Sequence, residues 1–219
     1  LHDAHIRLAL RVGANAICEK PLVIKPWNLD ALQVMEEETG RRVSTVMQLR
    51  LHPNIVALEK RVRESNSSTH DVCLTYVTPR GPWYWYSWKG SQEHSGGLAL
   101  NIGIHFFDML LWVFGAARSL EVHLKERDRM AGYMELERAR VRWLLSVSSA
   151  DLTAAPSGQG SIHRSMLIDG EEVEFTGGFV DLHTRVYEEV LAGRGIGMAL
   201  ARPAIELVHR INSTETRTR

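Results

Sequence analysis

Two cysteines, Cys18 and Cys73, are the only thiols in 219 residues, and both lie in apolar, strand-like runs. So few exclude a disulfide framework and fit a reducing, cytoplasmic setting. Charge of one sign is missing too: 26 basic residues balance 26 acidic ones. No global field draws such a chain to nucleic acid or to an anionic membrane, and any anionic ligand must be held by local groups. No long uncharged apolar run and no signal-peptide pattern occurs, so no membrane span is expected. Ten histidines are present, but none has a Cys/His ligand spacing. His2 and His5 share a helix face without a carboxylate or cysteine to complete a site, so no metal is expected.

What is there begins in α/β grammar. Leu1 to Val12 has helical apolar spacing, with Gly13 to cap it, and the apolar run Ala14–Cys18 leads into Glu19-Lys20-Pro21. A second helix is predicted from Trp27 to Thr39, stopped by Gly40, and a strand from Arg42 to Leu49. Helix, strand, helix, strand is the order of a parallel sheet, here opening on a helix with no preceding strand.

After Pro53 the texture changes. A helix to Glu64, a strand from His70 to Thr78, an aromatic loop from Pro79 to Lys89 and an apolar helix from Gly96 to Gly115 are predicted. Strands follow at Leu120–Arg127, Gly132–Arg138 and Arg140–Ser149, then a loop at Ala154–Gly160. Ser161–Ile168 and Glu172–Thr176 are joined by an Asp169-Gly170 hairpin turn, and helices at Val180–Ala192 and Met198–Asn212 follow. The expected architecture is the C-terminal remnant of a Rossmann-like parallel sheet (residues 1–51), then an open, mainly antiparallel sheet covered by helices (residues 52–219).

Three constellations could carry chemistry. Glu19-Lys20-Pro21 sits where a buried strand ends, and open parallel sheets bind ligands outside the carboxyl ends of their strands. The bland reading is a surface lysine leaving a strand. On one helix Asn101 and His105 would share a face, with Gly97 and Gly103 allowing backbone and ligand to approach closely; a satisfied core histidine competes evenly. In the third, Arg80, Trp83, Tyr84, Trp85, Tyr86, Trp88 and Lys89 interleave rings with cations, as a sugar or nucleotide clamp does, or a packed lid. Gln48, Arg50 and His52 alternate on a strand end and either point into the same cleft or form a solvated edge. Arg140, Arg142 and the run Trp143-Leu-Leu145 offer a mixed polar and apolar sheet surface for another subunit.

At these motifs the sequence resembles the glucose–fructose oxidoreductase and inositol dehydrogenase superfamily (Gfo/Idh/MocA). Its Glu-Lys-Pro motif matches Glu19-Lys20-Pro21, and its Gly-Gly…Gly-x-His-x-x-Asp motif matches Gly96, Gly97, Gly103, His105 and Asp108. Within it, the runs Ile17–Leu22, Gln48–Arg50, Ser87–Gly90, Asn101–Gly103, Ala139–Trp143 and Asp181–Thr184 are similar to bacterial UDP-N-acetylglucosaminuronate (UDP-GlcNAcA) 3-dehydrogenases of surface-polysaccharide synthesis. The resemblance implies oxidation of a sugar hydroxyl by hydride transfer to NAD, with NADP not excluded. His105 would be the base, Lys20 the group stabilising alkoxide character and Asn101 the group orienting the hydroxyl or the ribose. Arg80, Gln48, Arg50, Trp88 and Lys89 would bind a nucleotide-sugar substrate, Arg80 taking its carboxylate or a phosphate. Glu19, Lys20 and Pro21 would line the cofactor, and a homo-oligomer, tetramer or dimer, is implied.

Two departures qualify the match. Asn101 stands where the wider superfamily commonly has Asp, and an amide cannot take a proton. The Gly-x-Gly-x-x-Gly fingerprint is absent, for Gly193-Arg-Gly195-Ile-Gly197 lacks a leading strand. The phosphate loop is expected upstream of Leu1, and the 219 residues alone are expected not to hold NAD tightly. Competing readings are a non-catalytic sugar-nucleotide-binding or assembly module, and another reductase or glycosidase of the superfamily.

Overall fold

The computed structural model describes residues 1–65, 69–153, 162–175 and 177–217. Helix α1 (His2–Arg11), strand β1 (Ala16–Cys18), helix α2 (Pro26–Thr39) and strand β2 (Val43–Thr45) follow in the predicted order. β1 and β2 pair in parallel, Ala16 opposite Val43. β2 is shorter than its apolar run suggested. The chain leaves the sheet after Thr45 and turns through a 3-10 helix at Gln48–Leu51, so Gln48, Arg50 and His52 do not alternate along a strand. The glycine-rich stretch lies alongside instead: Thr45 donates to the Ile196 carbonyl and Ser44 bridges Gly197. A Cβ on Gly195 would stand 2.7 Å from Ser44 Oγ, which only glycine avoids.

Helix α3 (Pro53–Glu64) leads into β3 (His70–Val77). The aromatic segment is two short turns rather than a loop, α4 (Trp83–Tyr86) and a 3-10 turn at Trp88–Gly90, the second capped by Ser87. After α5 (Gln92–Ser95), the predicted single helix is broken into α6 (Gly97–Asn101) and α7 (Ile104–Phe114), bent by 47° where they join. Gly103 sits at this break, where no side chain fits. A Cβ there would lie 2.5 Å from the Ala99 carbonyl and 2.7 Å from both Leu145 and Phe107. The close approach that Gly103 permits is therefore to the core, not to a ligand; Gly97, at φ +73°, is likewise crowded by Gln92.

Strands β4 (Ala117–Lys125), β5 (Arg129–Leu136) and β6 (Ala139–Ser146), the turn α8 (Ser149–Thr153), β7 (His163–Ile168) and the two-residue β8 (Glu171–Glu172) follow. The six-stranded sheet runs β4-β5-β6-β3-β7-β8, antiparallel except for the β3–β6 pair. Asp169 and Gly170 both have positive φ, as their hairpin turn demands. The predicted loop 154–160 and the predicted strand ends Ser161 and Thr176 lie outside the described residues. Helices α9 (Leu182–Leu191) and α10 (Met198–Ser213) follow.

One hydrophobic cluster links Ile6 and Leu10 of α1 to Phe107 of α7, Trp143 of β6 and Ile211 of α10, so the small and large sheets share a core. Phe107 meets Trp143 edge-to-face at 5.4 Å. Pleating corrects the expected sheet surface: Trp143 and Leu145 face this core, Trp143 only 2% exposed, and of that run only Arg140, Arg142 and Leu144 face outward. Among the described residues no single helix is long and apolar enough to cross a membrane.

Candidate active site

The site forms where β1 ends against the α6–α7 bend. A helix leaves its last carbonyls unpaired, and the break after Asn101 frees one such oxygen on α6. The Lys20 ammonium donates to it at 2.7 Å, joining two motifs 81 residues apart. Two of its three N–H donors are left over. Burial pushes the Lys20 pKa below its ordinary value, Glu19 opposes, and Lys89 and Arg80 reinforce the fall. Glu19 lies exposed at 3.2 Å from His183 Nε2. Pro21 anchors α1 by accepting a hydrogen bond from His2 Nδ1 at 2.7 Å.

Asn101 faces the aromatic segment. Its Nδ2 donates to Tyr84 Oη at 3.0 Å and to the Lys89 carbonyl at 3.3 Å, leaving Oδ1 to accept. Tyr84 is the buried member of its segment. Burial raises its pKa, against the Asn101 bond and nearby Arg80. The other rings divide by exposure: Trp83 and Trp88 are 52% and 58% exposed, and the Lys89 ammonium lies over both at 5.6 and 5.8 Å. Lysine, not Arg80, covers Trp83. Arg80 is exposed with no side-chain partner among the described residues; its backbone N–H holds the Val147 carbonyl at 3.0 Å.

His105 opens α7. Asn101 and His105 do not share the face of one helix; the bend and Lys20 bring them to one place. The His105 Nδ1 is sealed without a hydrogen-bond partner. Burial, then the charges of Lys20, Arg164 and His183, push its pKa from 6.5 down to about 3, so the ring is neutral at physiological pH.

The remaining residues fall elsewhere. Arg50 grips Asp108 through two bonds of 2.9 and 2.6 Å and gives a third to the Leu200 carbonyl. Its side chain is 13% exposed and that of Asp108 1%. The motif aspartate is thus paired with Arg50, whose Nη1 has no partner among the described residues. Burial pushes the Asp108 carboxyl up and Arg50 pulls it down. Gln48 keeps a buried Oε1 without a partner, and buried His52 donates from Nε2 to the Gly177 carbonyl at 2.7 Å. Among the described residues no group of His, Cys, Asp and Glu could hold a metal. The larger cavity, about 390 Å³ between α2 and the start of α10, holds none of these groups. A smaller one, about 170 Å³, reaches the Tyr84 and Lys89 side of the cluster.

Sequence reasoning missed Tyr84 as an inward group, His183 as the partner of Glu19, and Arg164. The signal for Arg164 was period two: Ile168 and Met166 point into the core from β7, and Arg164 is next on that face.

Residues 70–163 match the C-terminal alpha/beta domain of the Gfo/Idh/MocA oxidoreductase family. The chain belongs to that family, for its likeness to one member runs from end to end. The WlbA (WbpB) dehydrogenase of Thermus thermophilus, in complex with NAD and UDP-GlcNAcA, is 48% identical with a TM-score of 0.94, over 100% of this chain and 71% of that one. The same dehydrogenase with NAD and alpha-ketoglutarate superposes at 0.95 with 49% identity over the same shares. Among curated relatives, the D-glucoside 3-dehydrogenase of Escherichia coli is 25% identical over 129 residues, 56% of this chain. The matched stretches span 36% of that relative and 27% of the putative oxidoreductase YteT of Bacillus subtilis.

Proposed function

We propose that the protein oxidises the C3 hydroxyl of UDP-N-acetylglucosaminuronic acid with NAD, in cytoplasmic synthesis of a surface polysaccharide. Residues 1–51 would belong to the nucleotide-binding half and residues 52–219 to the substrate-binding and oligomerising half. The observation that carries the reading is the bond from Lys20 to the Asn101 carbonyl beside His105. It unites a lysine, an amide and a neutral imidazole at the carboxyl end of β1. The relative nearly half identical in sequence holds NAD and this sugar.

NAD fits the cluster's open side: Lys20 has unused donors, and Glu19, Lys20 and Pro21 stand where parallel sheets bind ligands. When bound, it supplies the hydride acceptor. The chain's own groups do the rest. Neutral His105 offers a ring-nitrogen lone pair to the hydroxyl proton. The spare Lys20 donors hold the same oxygen as charge develops on it. Asn101 Oδ1, free because Nδ2 is spent on Tyr84 and Lys89, accepts a substrate hydroxyl and fixes its direction. Lys89 with Trp83 and Trp88 offers a charged, ring-lined platform to the nucleotide. Arg80, exposed and without a side-chain partner among the described residues, takes a negative group of the substrate. The outward sheet face carrying Arg140, Arg142 and Leu144 packs on a second copy, a point that sedimentation of the intact protein tests.

Kinetics on the full-length protein test the chemistry. With NAD and UDP-GlcNAcA deuterated at C3, NADH formation shows a primary isotope effect; deuterium at C4 gives none. An effect from C4 alone, or no NADH from this sugar, rejects the reading.

A further inference from the structure

Arg164 is a cation on the inward face of a strand whose other inward side chains, Met166 and Ile168, are core. Its guanidinium lies 4.5 Å from the ring centre of Phe179, 5.4 Å from that of Tyr76, 5.7 Å from Phe175 and 6.0 Å from Phe106. No carboxylate among the described residues pairs with it. Nε is sealed without a partner, and the single hydrogen bond, from Nη1 to the Phe175 carbonyl, is a marginal 3.5 Å. Four rings flank the guanidinium and Nε is sealed, but no carboxylate among the described residues neutralises the charge, which leaves a pairing that a ligand can complete. The residue is partly open to solvent. Phe106 adjoins His105, and the Arg164 charge is felt there. Arg164 and His105 are thus near enough for the one charge to act on the other.

We propose that Arg164 grips the carboxylate of the substrate and so sets the choice of a uronic acid over a neutral sugar. This rests on the reading of the site given above and sharpens it. A planar fork in an aromatic frame matches a carboxylate, and low local polarity strengthens the pair. The two cations then divide the two negative groups of a nucleotide uronate. Arg164, walled by rings beside His105, takes the acid on the reacting sugar. Arg80, exposed at the mouth, takes phosphate. UDP-GlcNAcA and alpha-ketoglutarate, each held beside NAD by the Thermus thermophilus relative, both carry a carboxylate that fits such a group.

Binding of UDP-GlcNAcA and of UDP-GlcNAc, whose sugar carries no carboxylate, to the full-length, NAD-loaded protein tests this by calorimetry. The wild type favours the uronate. Arg164→Met weakens the uronate by about ten- to a hundredfold and leaves the neutral sugar within about twofold. Arg164→Lys, which keeps charge and stem but not the fork, gives a smaller loss of the same kind, and thermal melts establish that each variant is folded. Arg80→Met weakens both ligands alike. A folded Arg164→Met or Arg164→Lys protein that retains the full uronate preference overturns the inference and leaves the proposed function standing. A wild type without that preference overturns the inference together with the substrate assignment.

Discussion

Two arginines, Arg50 and Arg164, sit on either side of α7 and are held in opposite ways. Arg50 meets a buried carboxylate through Nε and Nη2, one edge of its fork, and spends a third donor on the Leu200 carbonyl. Arg164 is walled by four rings and meets no acid among the described residues. A buried charge paired with a buried carboxylate belongs to the fold, because removing either half strands the other. A shielded charge without one leaves a pairing for something outside the chain to complete. Lys20 and His105 fall on the Arg164 side of this division, each with donor or acceptor capacity unused.

The contrast can be broken most severely at the reacting cluster. In the full-length protein His105→Ala and Lys20→Ala should each lower turnover by about a hundred- to ten-thousandfold, as loss of acid–base groups does. Melting temperature and nucleotide-sugar binding should barely change. Steady-state kinetics beside thermal melts decide it, and near-normal turnover in both variants would place the chemistry elsewhere. Asp108→Ala should do the converse, stranding Arg50 and destabilising the fold by about 3–5 kcal/mol in denaturant unfolding. A loss below about 1 kcal/mol would show the pair to be dispensable.

Acid sharpens the same division. His105 takes its proton near pH 6.5 when unfolded but only at about 3 when folded. The unfolded chain therefore binds more protons between those values, and stability falls as pH drops through that window, by at most about 1.4 kcal/mol per unit. His105→Gln removes this slope, so the variant gains on the wild type as the solution is acidified; parallel pH curves would refute the depressed pKa. The smallest effect is expected at Tyr84→Phe. It removes the acceptor for Asn101 Nδ2 and should cost about 1 kcal/mol in stability, with turnover lowered a few-fold as Oδ1 loses its fixed direction.

Much was legible before any coordinates. Periodicity gave α1, α2, α3 and β3 nearly to the residue, because each buries one regular stripe, and placed β4, β5 and β6 with ends off by up to three residues. The motifs placed Lys20, Asn101 and His105 together through family resemblance, whereas helical spacing placed the last two together for a wrong reason. Only packing decided that the helix is broken where residue 103 must be glycine, since the Ala99 carbonyl, Leu145 and Phe107 all crowd that position. Likewise Arg50 shows the same type of side chain in sequence as Arg164, and nothing along the chain reveals that Asp108 awaits one and four rings the other.

The sequence by itself determined the two sheets, the family and the residue types at the end of β1. Those follow from alternation, helical spacing and short motifs, all local properties of a chain. The tertiary structure alone decided which charges are paired. Lys20 meets Asn101, Arg50 meets Asp108 and Arg164 meets Phe179 across separations that no local pattern encodes. Whether a cation belongs to the fold or is left for a ligand depends on what the folded chain places within a few ångströms of it.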